Sequence, residues 1–151
     1  MTRVERALGT AVLPILTACV LAIGACNSTP QGVAENAVMV GLADSGKLVR
    51  LEPGQQLVVQ LNSNPTTGYQ WRINETIDRA VLLPDATRFS QTSAEKSRSE
   101  EVGTQYLRFV AQQPGRTNLS LVYTNPRSGD VPDTPRYKVE VIVAPRPVPV
   151  K

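Results

Sequence analysis

The chain has 151 residues, with 16 Lys and Arg against 13 Asp and Glu, and its formal charge of +3 is scattered rather than clustered, which argues against a nucleic-acid footprint. Histidine is absent and the two cysteines are Cys19 and Cys26, so Ser-His-Asp and Cys-His catalysis, His-containing zinc sites and a disulfide inside the domain are excluded. The length suits one domain with its own core plus a processed leader, and scarce aromatics beside abundant Val, Leu and Thr suit short strands.

Arg3 and Arg6 precede an uncharged, mostly apolar run over residues 7–23, the layout of a secretory signal peptide. The run is long enough that an uncleaved membrane anchor competes with that reading. Leu21-Ala22-Ile23-Gly24-Ala25-Cys26 resembles a bacterial lipobox, in which the cysteine is lipidated and becomes the new N-terminus. Leu16-Thr17-Ala18-Cys19 fits the same letters, but a cut there leaves the apolar residues 20–25 exposed. Cys26 instead opens onto the polar Asn27-Ser28-Thr29-Pro30-Gln31-Gly32, a flexible tether. The resemblance implies a lipoprotein signal peptide over residues 1–25, a lipid on Cys26, a tether through residue 36 and an extracytoplasmic place in a bacterial cell envelope. An ordinary signal peptide, with Cys26 as a small residue in it, is the alternative. Removing residues 1–25 takes away Arg3, Glu5 and Arg6 and leaves a charge of +2.

Strands are predicted over residues 37–40 and 47–51, separated by the turn-forming Asp44-Ser45-Gly46. After the turn Glu52-Pro53-Gly54, residues 56–61 alternate, with Leu57, Val59 and Leu61 on an apolar face and Gln56, Val58 and Gln60 on a mostly polar one. Only one side of this strand is expected to meet the core. Asn64-Pro65-Thr66-Thr67-Gly68 then forms a loop. Pro65 fixes its own φ and Gly68 supplies a positive φ, so the two threonine hydroxyls are held at a stiff tip. Tyr69, Trp71 and Ile73 alternate with Gln70, Arg72 and Asn74 in the next strand, with Trp71 as a core anchor.

A short helical turn is predicted over residues 75–83, capped by Asn74, with Ile77, Ala80 and Val81 at helical spacing and Pro84 ending it. Residues 87–91 read weakly as a strand, and 92–101 as a polar, charged loop. Residues 104–110 place Tyr106, Arg108 and Val110 on one face and Leu107 and Phe109 on the other. Residues 117–123 put Leu119, Leu121 and Tyr123 on a common face, residues 124–135 form a long loop, and the last strand runs over 136–143 before a Pro-rich tail at 144–151. About seven short strands with turns between them predict an all-β sandwich.

The string Asn64-Pro65-Thr66-Thr67-Gly68, followed by Tyr69, one spacer and Trp71, resembles the signature loop of chagasin-type inhibitors of papain-like cysteine proteases. The resemblance covers residues 37–143 and implies an immunoglobulin-like β-sandwich whose three loops at one end act together. It implies a monomeric, reversible, tight-binding inhibitor without cofactor or metal, whose partner is a papain-like cysteine protease. The protease-binding residues it implies are Asn64, Pro65, Thr66, Thr67 and Gly68 in the first loop, Gly103 and Thr104 closing the second, and Asn125, Pro126 and Arg127 in the third. Thr66 is the implied partner of the enzyme's imidazole. The third loop of well-known members carries Arg-Pro-Trp, and only the proline is kept here, so an apolar anchor is missing.

The residues themselves offer no catalytic alternative. Ser93-Ala94-Glu95-Lys96 fits the Ser-x-x-Lys pattern of penicillin-interacting enzymes without the other motifs that chemistry needs, and reads as a solvated loop. Glu100 and Glu101 point to opposite sides of an extended chain, and Asp130 and Asp133 lack calcium-loop spacing. Thr66 and Thr67 have no base to activate them as nucleophiles. A binding module is therefore expected, with a non-inhibitory envelope lipoprotein as the rival from another class.

Overall fold

Alternation decides most of the architecture. The computed structural model describes residues 32–96, 102–128 and 133–145; Cys19, Cys26, Glu100, Glu101, Asp130 and the tail after residue 145 lie outside them. The strands are β1 (Val38–Gly41), β2 (Leu48–Leu51), β3 (Gln56–Ser63), β4 (Gln70–Ile73), β5 (Leu82–Ser90), β6 (Gly103–Ala111), β7 (Gly115–Thr124) and β8 (Arg136–Val143). They form two four-stranded sheets, ordered β1-β3-β6-β5 and β2-β8-β7-β4. The fold is the predicted all-β, immunoglobulin-like sandwich, with eight strands where about seven were expected.

β1 runs parallel to β3 and β2 parallel to β8, while the remaining pairs are antiparallel. One edge of the sandwich is thus a strand-turn-strand segment that crosses between the sheets and reverses direction between residues 41 and 48. The change is made by a 3-10 turn over Leu42–Asp44. The Asp44 carboxylate accepts from the Gly41 N–H and from the Lys47 ammonium, each at 2.9 Å. Those two donors, the backbone one first, hold it below the usual carboxylate range.

The inward faces are those the period-two pattern names. Leu57, Val59 and Leu61 of β3, Leu107 and Phe109 of β6, Leu119 and Leu121 of β7, and Tyr137, Val139, Val141 and Val143 of β8 are buried in one cluster with Trp71. Val58, expected on the polar face of β3, is buried as well, at 1 % exposure. The reason lies in the chain before β1. Arg108, paired with Val58 across β6, donates to the Gly32 carbonyl, the Ala34 N–H donates to Gln56 Oε1 at 2.8 Å, and Gln55 Nε2 donates to the Asn36 carbonyl at 2.8 Å. Residues 32–36, the end of the expected tether, are therefore strapped to the outer face of the first sheet.

The predicted helical turn over residues 75–83 is not formed. Asn74 continues the sheet, its N–H bonding the Ser120 carbonyl at 2.9 Å. Asp78 then folds a local turn, its carboxylate accepting from the Ala80 N–H at 2.9 Å and its carbonyl accepting from Val81 and Leu82. An aspartate that bonds its own backbone competes directly with a helical nucleus, and a segment this short cannot outbid it. Ile77 and Val81 are buried all the same, so the apolar spacing was a packing signal and not a helical period. β5 begins at Leu82, ahead of the expected start at residue 87, and Pro84 sits inside it rather than ending a helix. That is tolerated because β5 is the edge strand and its register with β6 shifts between Pro84 and Ala86. The extra residue, Asp85, pairs with Arg108 Nε at 2.5 Å.

Tyr137 is fully buried and its hydroxyl has no hydrogen-bond partner among the described residues. Burial first, and the nearby Asp44 carboxylate second, push its pKa well above the ordinary tyrosine value of 10.0. The unfolded chain releases this proton first as pH rises, so folding stability falls above about pH 10. Tyr137→Phe removes the orphan group and keeps the shape. It is expected to leave stability at pH 7 unchanged or raised by about 1 kcal/mol, and to flatten the alkaline loss, as read by urea titrations at pH 7 and pH 10.5.

Candidate binding surface at one end of the sandwich

Three registers place three connections together. Ser63 at the end of β3 pairs with Gly103 at the start of β6, Ser90 at the end of β5 pairs with Thr104, and Gln70 at the start of β4 pairs with Thr124 at the end of β7. The connections 64–69, 91–102 and 125–135 therefore leave from the same end of the sandwich. β1 is entered, and β8 is left, at the other.

The first connection is built by its own side chains. Asn64 is extended, and its Oδ1 accepts from the Thr66 N–H at 3.2 Å and from the Thr66 hydroxyl. The Thr67 hydroxyl donates to the Asn64 carbonyl at 2.7 Å. Pro65 opens a 3-10 turn over Pro65–Thr67, closed by the Gly68 N–H on the Pro65 carbonyl at 3.0 Å, with Gly68 left-handed at φ 79°. Residues 65–68 are exposed. The stiff tip predicted from sequence is there, and both hydroxyl protons are spent inside it. Thr66 Oγ1, on an exposed residue, is consequently left as an acceptor.

Aromatic rings form the floor beneath this tip. Tyr123 lies 5.6 Å from Tyr69 and 5.3 Å from Trp71, centroid to centroid, and its hydroxyl accepts from the Asn64 N–H at 2.8 Å. Trp71 is buried as predicted, with Nε1 on the Asn62 carbonyl at 2.8 Å. Sequence reasoning missed the group that fixes Trp71. Gln105, buried at 4 % exposure in the opposite sheet, accepts from the Trp71 N–H at 2.8 Å and donates to its carbonyl at 2.9 Å. The amide stands in for a missing strand along the free edge of β4. The signal was present in the sequence, because alternation puts Gln105 on the same inward face as Leu107 and Phe109.

Asn125 joins the third connection to the first. Its Nδ2 donates to the Thr67 carbonyl at 3.3 Å and its Oδ1 accepts from the Arg127 N–H at 2.9 Å. A Cβ added to Gly68 would come within 2.8 Å of that same Nδ2. Pro65, Thr66, Thr67 and Gly68 line a shallow groove with Gln70, Asn125, Pro126 and Arg127, and Pro126 and Arg127 are exposed. Gly103 and Thr104 are placed differently. Gly103 is buried and Thr104 half-buried, both paired in β6 at the root of the second connection. A Cβ at Gly103 would lie 2.6 Å from the Ser90 carbonyl and from the Phe89 ring. Ahead of that root, Ser93–Lys96 forms a single helical turn, where a solvated loop was expected. Thr92 and Glu95 close it reciprocally, each side chain accepting from the other's N–H.

Among the described residues no three His, Cys, Asp or Glu gather as a metal site, and no helix is long and apolar enough to cross a membrane. A sandwich that offers a braced, uncharged loop tip beside two further connections is a scaffold for loop-borne recognition. Residues 50–141 match the Chagasin family peptidase inhibitor I42, and the chain belongs to that family of peptidase inhibitors. Its structure is similar to the cysteine protease inhibitor EhICP2 from Entamoeba histolytica, with a TM-score of 0.64 and 14 % identity over 72 % of this chain and 96 % of that one. It is similar to amebosin, with a TM-score of 0.60 and 18 % identity over 74 % of this chain and 100 % of that one. It is similar also to Leishmania mexicana ICP, with a TM-score of 0.50 and 25 % identity over 67 % of this chain and 90 % of that one. A search of curated proteins gave no match.

Proposed function

We propose that this protein is a reversible, tight-binding inhibitor of papain-like cysteine proteases that performs no turnover itself and blocks the active-site cleft with three loops led by residues 64–68. The observation that carries this reading is the exposed, internally bonded tip at the end of the sandwich from which the other two connections also leave. Thr66 Oγ1, its proton committed to Asn64, is an acceptor suited to an imidazolium N–H at the bottom of the cleft. Asn64, Pro65, Gly68, Asn125, Pro126 and Arg127 shape the groove around it.

The same bonds explain why such a tip resists cleavage. Hydrolysis needs a peptide carbonyl in the oxyanion hole, and the carbonyls of Asn64, Pro65 and Thr67 already accept hydrogen bonds within the protein. Because the loop is already folded, little ordering entropy opposes binding. Titration against papain and a cathepsin-type enzyme tests the reading, with nanomolar or tighter inhibition expected. A folded protein that inhibits neither returns the rival reading, a non-inhibitory envelope lipoprotein, which Arg127 in place of an apolar third-loop anchor favours.

The proposal extends to location: a lipid on Cys26 holds the domain at the outer face of a bacterial membrane. Only residues 27–31 separate that cysteine from the strapped segment, a reach of at most about 18 Å. β1 is entered at the end remote from the three connections, so the groove is presented away from the bilayer. Membrane fractionation with metabolic palmitate labelling checks this. Cys26→Ser is expected to abolish label and membrane retention together; retention without label would point to an uncleaved anchor instead.

A further inference from the structure

Phe89 is the one aromatic residue among the exposed large apolar side chains of the described residues, at 39 % exposure. It pairs with Gln105 across β5 and β6, and paired residues share a face, so the ring points to the inner side. β5 is the outermost strand of its sheet, and among the described residues no strand lies beyond it to cover the ring. Phe89 is also the penultimate residue of β5, at the end where the three connections cluster. Gly103, against which the ring packs, pairs with Ser63, the residue before the tip. Two strand spacings, about 10 Å, therefore separate β5 at Phe89 from the base of the first connection.

The ring is held where it stands. A methyl group at position 103 would sit 2.6 Å from Phe89 Cζ, so glycine there makes the seat on which the ring rests. The rings of Tyr69, Trp71 and Tyr123 are turned under the tip as its floor, and the third connection offers Asn125 and the cation Arg127. We infer that Phe89 is the apolar anchor of the binding surface on its second-connection side, packing onto an apolar wall at the rim of the protease cleft, with Gly103 as its positioning residue. The inference rests on the inhibitor reading above and adds a contact to it. A half-exposed aromatic seated against Gly103 offers contact area at an interface, the profile of a hot spot.

The chain has two phenylalanines, and the other, Phe109, is 1 % exposed in the core. Protein labelled with 4-fluorophenylalanine thus gives two fluorine resonances, one of them an internal control. On saturation with papain the Phe89 resonance is expected to shift while that of Phe109 stays. Phe89→Ala is expected to weaken inhibition of papain about tenfold or more, Phe89→Leu by less, with thermal unfolding measured on each. An unmoved Phe89 resonance in a saturated complex, or a folded Phe89→Ala within twofold of wild type, overturns the inference and leaves the inhibitor reading standing. Failure of the unsubstituted protein to inhibit papain or the cathepsin-type enzyme overturns both.

Discussion

Gly68→Glu is expected to raise the inhibition constant against papain by at least about a hundredfold, the scale of an interface hot spot near 3 kcal/mol, while the protein remains folded. Three effects act together at this position. The φ of 79° is one that a residue with a Cβ adopts only at about 1–2 kcal/mol. The new Cβ would press on the Asn125 amide at 2.8 Å and push the third connection off the first. The carboxylate would then stand at an exposed tip that carries no charge of its own. The milder change, Thr66→Ala, removes one acceptor and the brace to Asn64 and is expected to weaken inhibition about tenfold, the value of a hydrogen bond to a charged group. Thr66→Ser, which keeps the hydroxyl, should stay close to wild type. Circular dichroism and thermal unfolding separate a lost contact from a lost fold. Unchanged inhibition in a folded Gly68→Glu would mean that the tip does not enter the cleft.

The largest effect on stability is expected at Gln105. Gln105→Leu keeps volume but leaves the Trp71 N–H and carbonyl buried without partners, at about 1–3 kcal/mol each. The total loss should be about 2–5 kcal/mol, or roughly 10–20 °C in Tm. Gln105→Glu keeps the acceptor and loses the donor. It also sets a buried carboxylate against the Trp71 carbonyl, and should be at least as damaging at pH 7. Chemical denaturation of both variants measures this directly. A loss below about 1 kcal/mol would show that water replaces the amide along β4 and that the two sheets do not depend on this clasp.

Much of this was legible because the chain alternates cleanly where it is buried on one side only. β8 has the predicted limits, and β6 shows the predicted faces over its whole length. The tip over residues 64–68 could be read because its conformation is set locally, by a proline, a glycine and short polar side chains. The failures share a different origin. Residues 75–83 obey contacts with β7, through Asp78 N–H on Thr117 Oγ1, and not their own helical spacing. Val58 looked like a surface residue because nothing in β3 announces a strap arriving from residues 32–36. Gly103 matched the expected second loop by position, yet sequence gives no sign of the ring that needs its missing Cβ.

Because the described chain leaves β8 at the pole opposite the tip, with the Ala144 N–H on the Leu51 carbonyl at 2.9 Å, there is a practical corollary. A bead, a fluorophore or a second domain joined after residue 145 would start from that idle pole, and under the inhibitor reading it would leave the cleft-facing tip unobstructed.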